Sequence, residues 1–365
     1  MTGATGLIGG RLCEVMALTG AFEPRPFVHS TGSAWRIARL PLDFAVGDLC
    51  DRASVDRAMN GCDAVVHLAR GNDTVMRGGL ENVLRAAVTH RVARFVHVSS
   101  VAVYGSQPRS DSVSEGARIR RCDLSYGRVK LEQERRVFRC HRRHGLDVAI
   151  LRPPNVYGPF ASFTLGMINA VRSREIAIVD GGRHPCNLVY VDNLVEAILL
   201  ALSKREASGQ VFHVTDGEPV SWERCIVDHA ALVGVDVPRI AAAEQVPPPR
   251  ERVWRDSVRA LRGMMADAQV QRMLAHIPVV KRSFQALPEP VKQVIRRRLR
   301  RWESVRVNGW PEQRFRADHP LIAGQKRTIA HSSDKASRLL GYTAPVSYEE
   351  GMRLTAAWLR EAQML

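Results

Sequence analysis

The sequence predicts an α/β fold: a doubly wound parallel sheet with a smaller mixed C-terminal lobe and a basic helical insert. Three observations predict it. Short apolar runs alternate with amphipathic segments through the first half, a glycine triplet opens the first amphipathic segment, and the pattern turns mixed after Pro153. Strands separated by helix-length segments require right-handed crossovers, and those crossovers put helices on both faces of a parallel sheet.

Apolar runs at 22–30, 44–47, 64–68, 95–99 and 146–151 read as strands. Helical patterns fill 7–18, 55–59, 75–89 and 126–143, with Asn60-Gly61 and Gly145 as helix stops. Beyond Pro153 come a helix near 163–174, a strand near 176–179, a helix over 192–202 and a strand over 211–214. Pro247-Pro248-Pro249 opens an arginine-rich segment of helical pattern running to about Trp310, and 333–340 and 348–359 read as closing helices. The expected division is a sheet domain over 1–152, to which later segments return, and a second lobe over 153–365 that contains the insert at 246–310.

The 365 residues are 45% apolar and 25% charged, enough apolar material for a sizeable core. A net charge of +16 raises the expectation of an anionic partner. Seven cysteines stand singly with no C-x-x-C pair, which argues against a zinc site, predicts no metal, and suits reduced thiols in a cytoplasmic protein. The longest apolar stretch, 197–202, is too short to span a bilayer. A glycine-rich turn directly after Met1 is not the pattern of a signal peptide.

Residues 2–10 read T-G-A-T-G-L-I-G-G, with Gly3, Gly6 and Gly9 spaced G-x-x-G-x-x-G around Thr5, Leu7 and Ile8. Glycines at such spacing allow a tight turn, let backbone N–H groups approach a diphosphate and let helix and strand pack closely; the helix then points its N-terminus at the phosphates. A glycine triplet alone is weak evidence, and its plain alternative is an ordinary turn. Supporting positions follow. Asp48 and Leu49 come after a strand, Leu68 and Ala69 end the next at the carboxyl edge, and Asn82 opens N-V-L-R-A-A, where its amide could reach a cofactor or simply face solvent. The strand ending F-V-H-S lacks the acidic residue that would grip the ribose hydroxyl of NAD, while His29, Ser30 and Arg36 could take a 2′-phosphate, which favours NADP over NAD. Such a turn normally follows a central strand, yet only Met1 precedes Thr2. Without that strand its neighbours' backbone groups would go unpaired. Residues upstream of Met1 are expected to complete it, with a damaged form as the alternative.

Tyr126 and Lys130 stand four apart in Y-G-R-V-K, so a helix puts both on one face. A phenol titrating near pH 10 is a poor base at neutral pH; a neighbouring ammonium lowers that value and yields an acid/base for a substrate hydroxyl. A lone Y-x-x-x-K is also common as an exposed helix pair. Ser100, at the end of the apolar run in F-V-H-V-S-S-V-A-V-Y-G, adds a hydroxyl that could orient the reacting oxygen; Ser99 competes for that role.

These segments, with G-D-L-C-D at 47–51, V-V-H-L-A, L-R-P-P-N-V-Y-G-P at 151–159, N-L-V-Y-V-D-N-L-V-E-A-I at 187–198 and a closing L-G-Y-T-A-P-V-S-Y-E-E-G-M, occur in order. Over about residues 2–235 the chain resembles the extended short-chain dehydrogenase/reductase family, also called the NAD-dependent epimerase/dehydratase family. The resemblance implies a Rossmann-type NAD(P)-binding domain over 1–152, a substrate-binding lobe over 153–365, and Ser100, Tyr126 and Lys130 as the catalytic set. Ser100 is preferred to Ser99 because it lies four before Tyr104. The resemblance further implies that Ser99, Tyr126, Lys130 and Pro153 contact the cofactor and that Asn155, with Ser100 and Tyr126, contacts the substrate.

Two branches of that family compete. Its nucleotide-sugar members usually carry a diphosphate-binding arginine where this chain has Cys186, and a thiol cannot replace a guanidinium. The segment G-Q-V-F-H-V-T-D-G-E-P-V-S-W at 209–222 resembles the 3β-hydroxysteroid dehydrogenase-like group. The expected function is therefore NAD(P)-dependent oxidoreduction of a secondary alcohol or ketone, sterol-like or otherwise small. The alternatives are a nucleotide-sugar epimerase/dehydratase and a catalytically silent NAD(P)-binding regulatory or membrane-associated protein.

From 250 to 301 fourteen Lys/Arg stand against four acids, with Val291, Val294, Ile295, Leu299 and Trp302 at helical spacing. The plainer reading is a helical layer with a solvated arginine face; the second is peripheral contact with an anionic membrane. Nucleic acid is not expected, as no recognised module is visible. The partners expected are a small-molecule substrate, a second copy in a homodimer, and a membrane surface touched through 250–301.

Overall fold

A computed structural model of the chain describes residues 1–119, 122–240 and 319–365. The expected insert at 246–310 and its basic stretch lie outside the described residues. The strands run β1 (Phe27–Val28), β2 (Ala45–Val46), β3 (Ala64–His67), β4 (Arg94–Val98), β5 (Val148–Arg152), β6 (Asn155–Tyr157), β7 (Ile178–Val179), β8 (Leu188–Tyr190), β9 (Gln210–His213) and β10 (Arg239–Ile240). The α-helices are α1 (Leu7–Thr19), α2 (Arg52–Met59), α3 (Leu80–Thr89), α4 (Ser125–His144), α5 (Ser162–Arg172), α6 (Val191–Ser203), α7 (Trp222–Val233), α8 (Pro320–Gly324), α9 (Asp334–Leu340) and α10 (Tyr348–Glu361).

The main sheet pairs β3, β4, β5 and β9 in that order, all parallel, and β1 with β2 in parallel. Thr2 joins the two parts. It bridges both Phe27 and His67 in parallel, its N–H donating to the Val66 carbonyl at 3.0 Å and its own carbonyl accepting from the Leu68 N–H at 3.2 Å. Phe27 N–H donates to the Met1 carbonyl at 2.8 Å. Met1 and Thr2 thus hold the place that the sequence assigns to a central strand.

Alternation along the inner strands decides which face each side chain serves. Val96, Val98, Ala149 and Leu151 bury against α1 (Leu12, Met16), α6 (Leu194, Ile198) and α9 (Ala336, Leu340). Phe95, Val148 and Ile150 bury on the other side against α2 (Val55, Met59), α3 (Leu80, Leu84) and α4 (Val137, Cys140). One sheet with two separate apolar cores is what double winding requires. β9 returns to its edge from after Pro153, while β6 with β8 and β7 with β10 make two short parallel pairs.

The sequence misjudges some spans. The strand expected at 22–30 narrows to β1, because Pro24 and Pro26 have no N–H for a ladder. The helix expected from 75 opens with a wide π turn over Val75–Gly79 before α3. The pairs of β6, β8 and β10 go unforeseen, since two or three residues give no readable alternation. Met59 and His144 end α2 and α4 at the foreseen stops.

Candidate active site

The carboxyl edge of the sheet is where the glycine turn meets β3. Gly3 has a left-handed φ of 70°, and a Cβ there would stand 2.7 Å from the Leu68 carbonyl carbon and 2.8 Å from Ala69 N. A Cβ on Gly9 would stand 2.7 Å from Ala4 Cα. Neither position has room for a side chain, so the turn and α1 are locked against the end of β3. Gly6 differs: it is exposed, and it caps α1 with no side chain to satisfy the first-turn N–H groups. Thr5, Leu7 and Ile8 surround it half-buried. Backbone donors over an exposed glycine fit a dinucleotide diphosphate.

The neighbouring loops are shaped from within. Asp48 accepts from the Cys50 N–H at 2.8 Å, and its carbonyl accepts from Ser54 Oγ at 2.9 Å, leaving an exposed side chain beside Leu49. Asn82 donates Nδ2 to the Leu49 carbonyl at 2.9 Å. That amide braces the 47–51 loop through its Nδ2. Arg36 packs half-buried beside α1, where a Cβ on Gly10 would lie 3.7 Å from its guanidinium.

α4 delivers Tyr126 and Lys130. Its approach is set by Gly127, where a Cβ would overlap the Ala102 carbonyl oxygen and stand 2.6 Å from Cys122 Sγ. This brings the first turn of α4 hard against the short 3₁₀ turn Val101–Tyr104, which Ser100 caps. Ser100 Oγ accepts from the Ala102 N–H at 3.1 Å, so its own proton is free to donate. Tyr126 remains 37% exposed, whereas Lys130 is 3% exposed and donates Nζ to the Val98 carbonyl at 2.9 Å. Pro153, whose carbonyl accepts from the Val101 N–H at 3.1 Å, holds the Ser100 turn from beneath. Asn155 donates Nδ2 to the Asn187 carbonyl at 3.2 Å and stays half-buried on β6.

Ser99 points the other way. It is buried and donates Oγ to Glu134 Oε1 at 2.5 Å, so that hydroxyl is engaged within the protein. Glu134 in turn holds Arg152 with both oxygens, at 2.9 and 2.6 Å. Arg152 donates to Tyr104 Oη at 2.7 Å, and that hydroxyl lies 2.7 Å from His213 Nε2. A fully buried ion pair thus links α4, β4, β5 and β9 under the reaction centre.

The electrostatics differ from the expected pattern. Burial raises the Tyr126 phenol above its usual value, and the opposing cation is Arg70, whose guanidinium lies 5.0 Å over the ring. Burial also pushes Lys130 down to about 8, with the Glu134 carboxylate opposing. Acidification of Tyr126 by Lys130 is not the arrangement found here. Sequence reasoning missed Arg70, Gly127, Glu134 and Arg152; only Gly127 and Arg152 stood in motifs that could have drawn attention.

Fold and site together define an NAD(P)-dependent enzyme of the extended short-chain dehydrogenase type. The chain belongs to the NAD dependent epimerase/dehydratase family, whose family model matches residues 1–215. Among known relatives, it is 30% identical over 231 residues to a 4-hydroxy-2-methyl-3-oxo-4-farnesyl-3,4-dihydroquinoline-1-oxide ketoreductase of Stigmatella aurantiaca, covering 60% of this chain and 68% of that one. It is 32% identical over 193 residues to a dTDP-glucose 4,6-dehydratase of Streptomyces niveus, covering 48% of this chain and a little over half, 56%, of the relative. The fold matches UDP-glucose 4-epimerase of Thermotoga maritima with a TM-score of 0.66 at 19% identity, over 99% of this chain and 98% of that one. It also matches a dTDP-glucose 4,6-dehydratase of Streptomyces venezuelae solved with NAD, with a TM-score of 0.65 at 21% identity, over 100% and 97%.

Proposed function

We propose that the chain reduces a ketone, or oxidises the matching secondary alcohol, with NADP as the preferred cofactor. The observation that carries this reading is the packing of the Ser100 turn against α4 at Gly127, beside an open glycine turn. When bound, the nicotinamide supplies or accepts the hydride. Gly3, Gly6 and Gly9 with the first turn of α1 would hold the diphosphate, and Lys130 the adjoining ribose. Tyr126 moves the proton at the substrate oxygen, and Ser100 donates a hydrogen bond to that same atom. With its pKa raised, the phenol stands protonated at neutral pH, which suits giving a proton to a ketone.

Two further points support a reductase over a sugar enzyme. Cys186 is buried beside Cys225 and puts no cation toward a substrate diphosphate, while Arg183 is paired with Asp180 at 2.8 Å. One relative is named a ketoreductase. The second reading, a nucleotide-sugar epimerase or dehydratase, is favoured by relatives of that name and by half-buried Asn155 on β6, the residue the motif points to for substrate. NADP is preferred because exposed His29 and Ser30 end β1 without an acid and Arg36 sits by α1.

The test is binding of NADPH and NADH by fluorescence, followed by turnover with sterol ketones, small ketones and nucleotide sugars. Tyr126→Phe is expected to cut turnover by about 10²–10⁴-fold with cofactor affinity unchanged. Equal turnover by the variant would remove Tyr126 as the acid/base. Binding without turnover on any of these compounds would favour a silent cofactor-binding protein.

A further inference from the structure

Arg36 is placed by a residue more than 120 positions further along the chain. Its guanidinium lies 4.3 Å over the ring of Phe160, which follows β6. Phe160 is in turn flanked by Trp35, edge-on at 6.4 Å, and by Trp358 of α10 at 4.6 Å. No carboxylate completes the arrangement. Among the described residues Arg36 has no ion pair or hydrogen bond, and the nearby Glu14 spends its oxygens on Arg11 and Arg39. Burial, together with nearby Arg39, lowers the guanidinium's pKa despite the opposing charge of Glu14. Phe160 itself adopts a left-handed φ of 64°, a conformation a bulky residue takes only at a cost. The aromatic cluster keeps that strained residue where its ring meets Arg36, and two of its members, Trp35 and Phe160, stay 67% and 41% exposed.

We infer that Phe160 is a positioning residue that seats Arg36 as a phosphate-binding group, so that the substrate lobe governs cofactor affinity. The inference rests on the dinucleotide-binding reading above. The ligand chemistry is a phosphate oxygen, supplied either by the 2′-phosphomonoester of NADP or by the diphosphate common to both dinucleotides.

The decisive variant is Phe160→Gly. Glycine accepts φ 64° freely, so the fold keeps its backbone while the ring is lost. Fluorescence titrations with NADPH and NADH are compared across the wild type, Phe160→Gly, Phe160→Tyr and Arg36→Gln. Loss of the ring is expected to weaken NADPH by about three- to thirtyfold, Arg36→Gln by about ten- to a hundredfold, and Phe160→Tyr to restore binding with no change in Tm. If NADH is spared, the phosphate is the 2′-group; if both dinucleotides weaken equally, it is the diphosphate. Unchanged affinity for both in Phe160→Gly would overturn the inference, as would failure of Phe160→Tyr to restore it. A wild type that binds neither dinucleotide would refute the functional reading itself, and this inference with it.

Discussion

Gly127→Ala tests how the reaction centre is assembled. The added Cβ would meet Cys122 Sγ at 2.6 Å and the Ala102 carbonyl carbon at 2.8 Å, against an ordinary carbon contact of about 3.5 Å. The first turn of α4 must therefore back away from the Ser100 turn by close to an ångström. Neither partner yields easily: Ala102 is fixed by the Ser100 cap, and Cys122 Sγ donates to the Ala102 carbonyl at 3.2 Å. Overpacking of this kind costs about 1–3 kcal/mol, a Tm fall of about 1–4 °C in a chain of this size. Tyr126 precedes the substituted residue directly, so it moves with it, and a shift of about 1 Å at a reacting group costs on the order of 10²-fold in rate. The substitution touches none of Gly3, Gly6 and Gly9, so NADPH affinity should fall less than the rate. The assay pairs a thermal melt and an NADPH titration with steady-state kcat on a reducible ketone. Wild-type Tm together with wild-type kcat would refute the claim that this close approach builds the site.

Glu134→Ala should strand Arg152, whose side chain is 7% exposed, at a cost of about 3–5 kcal/mol. Thermal melts read this directly, and a Tm loss below ~2 °C would show that the ion pair is not what ties α4 to β5. Lys130 gives a pH signature in the cofactor-free protein. Its folded pKa is pushed down to about 8 from 10.5, so the unfolded chain binds more protons between those values and stability attributable to Lys130 rises with pH from about 8 upward. Urea midpoints of the wild type and Lys130→Met should therefore diverge in favour of the wild type from pH 8 to pH 10; a constant difference across that range would count against the depressed pKa.

The parts of this molecule that could be read in advance are those where one residue type has one physical reason to be present. Gly3 and Gly9 stand where no Cβ fits, and Tyr126 and Lys130 share a face because a helix repeats every 3.6 residues. The long strands alternate between two cores and so announce themselves. What could not be read depends on contacts far apart in sequence. Ser99 and Ser100 are adjacent hydroxyls, and the position of Glu134, 35 residues on from Ser99, separates the one bonded within the protein from the one proposed to face the substrate. Arg70 beside Tyr126 and Phe160 beneath Arg36 arise from packing between segments that carry no shared pattern. Asn82 shows the converse, a residue in a familiar motif whose amide goes to the backbone at Leu49.

One face of the main sheet is closed by α9, whose Ala336 and Leu340 lie in the same core as Leu12, Val96 and Leu151. That core joins α1 near residue 12, α6 near residue 194 and α9 near residue 340, so the helices that cover one face come from widely separated parts of the chain. Closing that face therefore depends on contacts of very long sequence separation, the slowest kind to form.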